Sequence, residues 1–409
     1  MKVLHLTKEL HDGAGKAANR LVSALRKYTD IQADIADKTM IQGISDLAKF
    51  PLKYRALCRL ETFALKHSYN SNPISRSTGL VGNGIVDAIN KSDADIIHLH
   101  WINGAFLSIA DIAKIQKPLV WTLHDSWAFC GTEHHPDVLQ NDLRWKKGYH
   151  NSSRLADSTG IDLDKWIWRW KKHCWQNKDI TFAATSNWES NMLSQSALFR
   201  NRQCFVIPNG VDTEVFTPGS QAEAREKLHI PLNKKVILFG AVSVNNPIKG
   251  YHFLQKTFAK LSEMIPNAMP VCFGNASDKT VLQNTHLPVM DLGVLISEEQ
   301  LADAYRAADV FVCPSIIDNL PSTCIEAQTC GVPVAAFNVG GISDIVKHKT
   351  TGYLALPYDT DDLFDGICYC LENKNMLAES AVINSSEKFN YKKFAVNYEK
   401  MYQQIMKKF

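Results

Sequence analysis

Short apolar runs, each closed by a turn residue, alternate along the chain with longer stretches whose apolar positions fall three and four apart. Strands and helices taking turns in a parallel sheet produce this pattern, so it predicts an α/β protein. Met1–Thr7 predicts a strand, His11–Gly15 a tight glycine loop, and Lys16–Tyr28 a helix with Ala17, Leu21, Val22 and Leu25 on one face. Asp95–Trp101 and Leu119–Leu123 predict two buried strands. Their ends bring His100, Trp101 and Asn103, and then His124, to the carboxyl edge of the sheet, where open parallel sheets bind ligands. Ile180–Ala184 and Cys204–Pro208 continue the series, and Pro208, Gly210, Pro218 and Gly219 then punctuate it, which predicts a domain boundary. A second series starts with a strand at Lys235–Phe239, a loop at Gly240–Pro247 and a helix opened by Lys249 and Gly250. Strands follow at Pro270–Phe273, Val310–Cys313 and Val334–Phe337, and Lys392–Lys407 reads as a terminal helix.

Composition narrows the class. Apolar residues make up 45% of the 409 and charged residues 21%, the balance of a globular protein with a sizeable core. The net charge of +3 is too small to predict nucleic acid as a partner. Ten scattered cysteines, with no apolar signal core ahead of them, predict reduced thiols in a cytoplasmic protein. No run of about 18 apolar residues predicts a membrane-spanning helix. Cys368 and Cys370 lack the second pair or nearby histidine that a zinc site needs, so no metal is expected.

The chemistry concentrates between Pro314 and Val346. After the strand ending at Cys313, Asp318, Asn319 and Leu320 form a loop, and Pro321 suits the first turn of a helix running through Ser322–Thr329. Cys330 and Gly331 stop that helix, and Gly340 and Gly341 make a loop that opens another. Asp318 and Glu326 bracket the helix start, where backbone N–H groups and a positive dipole favour an anion such as a diphosphate. The two carboxylates can then accept hydrogen bonds from hydroxyls at either end of that ligand. A sugar nucleotide has this layout.

The whole stretch resembles the donor-binding motif of the retaining GT-B glycosyltransferases of family 4. The residues that carry the likeness are Asp318, Glu326-Ala327, Cys330-Gly331-Val332-Pro333-Val334, Gly340-Gly341 and Asp344-Ile345-Val346. The family's first acid is usually Glu, and Asp318 stands there here. The Asp318-Asn319-Leu320-Pro321 version is similar to that of members building bacterial surface polysaccharides. The resemblance implies two Rossmann-like domains facing across a cleft, residues 1–205 for acceptor and 206–390 for donor, with the helix at 391–409 returning to the first. It implies that Gly13 and Gly15 lie by the donor phosphates, with Asp12 in place of a glycine, and that His124 lies by the transferred sugar. It places Lys249 on the diphosphate. The family's second cation, an Arg, is missing near Val242 and Ser243. Ser243, Asn319, Leu320, Pro321, Ser322 and Glu326 complete the implied donor set, and His100, Trp101 and Asn103 the acceptor set.

The activity implied is transfer of a sugar, with retained configuration, from a nucleotide diphosphate-sugar to a glycan or polyprenyl-diphosphate-linked hydroxyl. No cofactor or divalent metal is expected, since Asp93-Ala94-Asp95 and Asp359-Thr360-Asp361 match D-x-D at a frequency chance explains. Two other readings stay open: a sugar-nucleotide epimerase of the same fold, and a non-catalytic nucleotide- or glycan-binding partner. Leu47–Lys66 and Trp166–Trp175 interleave basic with aromatic or aliphatic residues. Each fits either a packed helix or peripheral contact with the inner membrane.

Overall fold

Eight strands lie among the described residues of the first half of the chain: β1 Lys2–Leu6, β2 Gln32–Ala36, β3 Ser68–Tyr69, β4 Ile96–Leu99, β5 Leu119–Leu123, β6 Thr159–Gly160, β7 Thr181–Ala184 and β8 Cys204–Val206. They come from a computed structural model that describes residues 1–38, 52–69, 72, 74–276, 282 and 286–408. Lys49 and the side chains of Leu52, Lys53, Tyr54 and Arg55 lie outside the described residues. Six of the strands form one sheet in the order β2-β1-β4-β5-β7-β8, and every pair is parallel. β4, β5 and β7 are buried at every position, as strands covered by helices on both faces must be. Six more strands follow: β9 Lys235–Ser243, β10 Ala268–Asn275, β11 Met290–Asp291, β12 Val310–Cys313, β13 Val334–Phe337 and β14 Gly352–Ala355. They form a second parallel sheet in the order β11-β10-β9-β12-β13-β14.

The chain divides into two compact units, Met1–Pro208 with Phe394–Phe409, and Asn209–Lys393. The core of the first is aromatic. Trp121, Trp127, Trp175, Phe182 and Phe199 are all buried, and Trp121 meets Trp175 edge to face at 5.4 Å. The terminal helix, Tyr391–Met406, belongs to this unit from Phe394 onward, through polar pins as well as packing. The Tyr402 hydroxyl lies 2.6 Å from His98 Nδ1, and the Tyr398 hydroxyl 2.8 Å from Thr122 Oγ1, all of them buried.

Three local expectations change. The glycine loop after β1 is already helix: Gly13–Tyr28 is continuous, and the Asp12 carboxylate caps it by accepting from Gly15 N at 2.6 Å. The loop at Gly340-Gly341 leads only into a single 3-10 turn, Ile342–Asp344, and not a full helix. The stretch from Cys130 to Lys165, polar enough to read as a long loop or lid, is largely irregular, but its first part, residues 130–149, is mostly buried instead of forming an open lid. Several of its buried charges pair with one another: Arg144 reaches Asp142 at 2.8 Å, Asp164 at 3.0 Å and Glu133 at 3.5 Å. Buried Lys171 donates to the carbonyls of Trp127, Cys130 and Gly131 and sits 3.6 Å over the Trp127 ring. Burial pulls its amine down to about 7. Polar composition predicts exposure only when the polar groups have no partners, and here they have each other.

The pins on the terminal helix set a testable cost. Tyr402→Phe leaves His98 Nδ1 buried without a partner, so urea unfolding should report a loss of about 1–3 kcal/mol, with the fold retained.

Candidate functional site

In the second unit the site is built where β12 gives way to the helix Ser322–Thr329. Pro321 precedes that helix with no side-chain cap, so its first-turn amides are left to the loop. Lys249 arrives from the turn Pro247–Lys249. Backbone lacing holds that turn against the loop: Ile316 N donates to Ile248 O at 2.8 Å, and Gly250, at φ 69, approaches Pro314 O so closely that a Cβ would lie 1.8 Å from it. The result is an ion pair, Lys249 Nζ to Asp318 Oδ2 at 2.6 Å. Burial lowers the lysine's pKa, but the Asp318 carboxylate outweighs it and holds the ammonium above its ordinary value. On the far side of the helix start, Glu326 is buried and its Oε2 accepts from the Tyr305 hydroxyl at 2.8 Å. Asn319, Leu320 and Pro321 are buried in the loop between the two acids, and Ser322 is half-buried. Ser243 ends β9, whose strand runs through the expected loop start, and Val242 beside it is exposed.

Gly340 shapes the same loop. It takes φ 56, and a Cβ there would lie 1.9 Å from the Asp318 carbonyl oxygen, to which Gly341 N donates at 3.0 Å. Lys249, Asp318, Glu326 and the Gly340-Gly341 turn are therefore one assembly. Tyr305 is the member that sequence reasoning missed, and it sits within an amphipathic helix with nothing local to mark it.

In the first unit His100, Trp101, Asn103 and His124 gather at the carboxyl ends of β4 and β5 and line one small cavity. His100 Nδ1 lies 3.0 Å from His124 Nε2. Two residues from outside the expected acceptor and donor sets join them. Asp125 Oδ2 accepts from the Trp101 indole at 2.9 Å and from His134 Nδ1 at 2.6 Å, and His134 Nε2 lies 2.9 Å from Ser77 Oγ. Burial raises the pKa of the Asp125 carboxyl, but the His134 ring outweighs it and holds the acid well below the usual carboxylate range. Asp125 follows His124 directly in the sequence. His134 comes from the polar stretch Cys130–Lys165 and serves here as the partner of Asp125. Asn103 is buried with Oδ1 lacking a partner among the described residues. Gly13 and Gly15 open the helix after β1. Gly15 packs on the Glu9 carbonyl, whereas Gly13 has open space where a Cβ would go. Neither D-x-D pair is gathered into this constellation: Asp93 pairs with Lys2 at 2.9 Å, and Asp359 caps the helix Thr360–Glu372.

Residues 66–215 match the family described as Glycosyltransferase Family 4, and residues 220–388 the family described as Glycosyl transferases group 1. The chain belongs to glycosyltransferase family 4. The D-inositol 3-phosphate glycosyltransferase of Mycobacteroides abscessus is 31% identical over 196 residues, which cover 46% of this chain and 43% of that protein. The chain spans about half the length of the first curated relatives it matches, 43% to 51% of each. Sucrose-phosphate synthase of Thermosynechococcus elongatus shares the fold at a TM-score of 0.68 and 19% identity, with both chains covered in full. HepE of Anabaena, solved with UDP-glucose, shares it at 0.64 and 17% identity, over 100% of this chain and 99% of that one. The two-sheet architecture is thus the GT-B fold of family 4.

The glycines divide this family 4 site into tight and loose positions. Gly340→Ala forces φ above zero onto a side chain, at about 1–2 kcal/mol, and drives its Cβ into the Asp318 carbonyl. Thermal melts should show the loss, and the crystal structure a displaced Asp318. Gly13→Ala should leave the melting temperature unchanged or raise stability by up to about 1 kcal/mol.

Proposed function

We propose that the chain is a retaining glycosyltransferase that moves a sugar from a nucleoside diphosphate-sugar to a hydroxyl of a glycan or polyprenyl-diphosphate-linked acceptor, in the assembly of bacterial surface polysaccharide. The Lys249–Asp318 pair at an uncapped helix start carries the reading. When the donor's diphosphate arrives, Lys249 and the helix amides stabilise the charge that develops on the leaving group. Asp318, released from the lysine, holds the sugar hydroxyls beside an anomeric carbon that becomes positive. Glu326, oriented by Tyr305, holds the nucleotide ribose. Ser243, Asn319, Leu320, Pro321 and Ser322 line the donor, while the first unit serves the acceptor through His100, Trp101 and Asn103, with His124 at a sugar hydroxyl. Binding of UDP-glucose by HepE makes uridine diphosphate sugars the first donors to test.

Peripheral membrane contact at the cytoplasmic face belongs to the same proposal. No described helix is long and apolar enough to cross a membrane. The helix Leu52–Lys66 exposes Leu57, Leu60 and Phe63, and the helix Leu163–Trp175 exposes Trp166 and Trp170. Antiparallel pairing of β3 with β6 brings the end of the first helix near the start of the second, and Arg59, Lys66, Arg169 and Lys172 are exposed on the same helices. That mixture suits an anionic lipid surface, at about 1 kcal/mol per basic residue.

Steady-state kinetics with UDP-, GDP- and TDP-sugars and a lipid-linked acceptor, read by mass spectrometry, test the reaction. Asp318→Asn should lower kcat about 100-fold with little change in donor KM, because it removes charge where charge develops. Glu326→Ala should instead raise donor KM about 10-fold or more, the loss of a hydrogen bond to a charged group. Equal effects of both on kcat would refute the assigned roles. Turnover should persist in excess chelator, and its complete loss with recovery on adding manganese would overturn the metal-free scheme. Phe63→Ser combined with Trp166→Ser should abolish flotation with phosphatidylglycerol vesicles at low salt, and equal flotation with neutral vesicles would exclude the electrostatic part.

A further inference from the structure

Three histidines of the first unit form a hydrogen-bonded row that runs from the core to the site. His5 Nδ1 lies 3.0 Å from His100 Nε2, and His100 Nδ1 lies 3.0 Å from His124 Nε2. The rings of each neighbouring pair are stacked, with both sets of centroids 5.3 Å apart. The inner end is blind. His5 is fully buried, and its Nε2 meets no partner among the described residues. The outer end is open, since His124 is half-exposed and only its Nε2 is engaged among the described residues.

His98 stands beside the row, and nitrogens of His5, His98 and His100 lie within 4.8 Å of one another. That proximity does not make a metal centre. His98 has committed Nδ1 to Tyr402 and Nε2 to Thr122, and both nitrogens of His100 are inside the row. One free lone pair remains, on His5, where a cation needs several ligands.

In a hydrogen bond between two neutral imidazoles one ring donates and the other accepts, so the row has two self-consistent settings. Set inward, His124 donates from Nε2 to His100, and His100 donates from Nε2 to His5. His5 must then carry its proton on Nε2, a buried N–H with no acceptor. Set outward, every ring donates from Nδ1, and the blind end holds only a bare lone pair. A buried donor without an acceptor is the rarer and costlier defect.

We infer that the row is set outward, so that buried His5 and His100 act as positioning residues and His124 presents its Nδ1–H to the ligand as a hydrogen-bond donor. Burial keeps the rings neutral at physiological pH, pulling His5 to about 3, His124 to about 4 and His100 well below its ordinary value. The ligand atom opposite His124 is therefore an acceptor, and His124 is not the base that removes a proton from it. On the glycosyl-transfer reading, that atom is the oxygen of a sugar hydroxyl.

Nitrogen-15 spectra of histidine-labelled protein decide the setting without any catalytic assay. Long-range proton–nitrogen correlation at neutral pH, with no ligand added and single His→Asn variants for assignment, should show His5, His100 and His124 each protonated at Nδ1 and bare at Nε2. A proton on Nε2 of His124 overturns the inference. His100→Leu cuts the row, and His124 should then relax to the Nε2–H form that an isolated imidazole prefers. An unchanged Nδ1–H in folded His100→Leu overturns the positioning role, and if that variant does not fold, the wild-type spectrum alone decides the setting. Stoichiometric metal in the purified protein, bound at His5 Nε2, overturns it as well. An outward row in a protein that transfers no sugar would refute the glycosyltransferase reading and leave this one standing.

Discussion

The ion pair between Lys249 and Asp318 is the constraint around which the second unit is arranged. A carboxylate and an ammonium held 2.6 Å apart in a largely buried loop would be an expensive thing to leave unsupported. Three pieces of backbone provide the support: the left-handed Gly250 against Pro314, the Ile316–Ile248 hydrogen bond, and the left-handed Gly340 against the Asp318 carbonyl. The sheet order makes the pairing possible. β9 and β12 are neighbours, so the turn after one and the loop after the other share the sheet's carboxyl edge. On the proposed reading, an anionic ligand would take over from Asp318 as the lysine's partner, exchanging one ion pair for another.

The first unit solves a different problem, the burial of many polar side chains at and below its site. It does so by giving most of them partners. The Asp125 carboxylate gathers Trp101 and His134, Arg144 gathers three acids, and Lys171 gathers three carbonyls. Networks of this kind are rigid when complete, because removing one member exposes the rest to the full cost of desolvation. The few unpartnered atoms then become informative. His5 Nε2 closes the inner end of the histidine row, and Asn103 Oδ1 lies at the cavity.

The alternation of strands and helices, the parallel sheets and the acid pair at the helix start were legible because they depend on local periodicity and on a contiguous motif. Val310–Cys313, Ser322–Thr329 and Val334–Phe337 fall where the pattern placed them. Errors arose where one residue type serves two structures. Glycines 13 and 15 suit a loop or a capped first helical turn, and Asp12 tipped the choice by capping. The polar residues between Cys130 and Lys165 suit a solvated lid or a buried network, and only their mutual distances tell which.

The sequence by itself determined which residue types lie at each strand end, since a period of two or of 3.6 is a property of neighbours along the chain. It thereby placed His100, His124 and Asp318 at or just after strand ends and Glu326 two turns inside a helix, whereas Lys249 was marked only by resemblance to the family. Tertiary structure alone decided what those residues touch. Tyr305 reaches Glu326, His134 reaches Asp125, and His5 reaches His100 across separations that no local pattern encodes. The reason is physical: a hydrogen bond depends on distances of about 3 Å between atoms, and only the packing of the sheets and helices brings those atoms together.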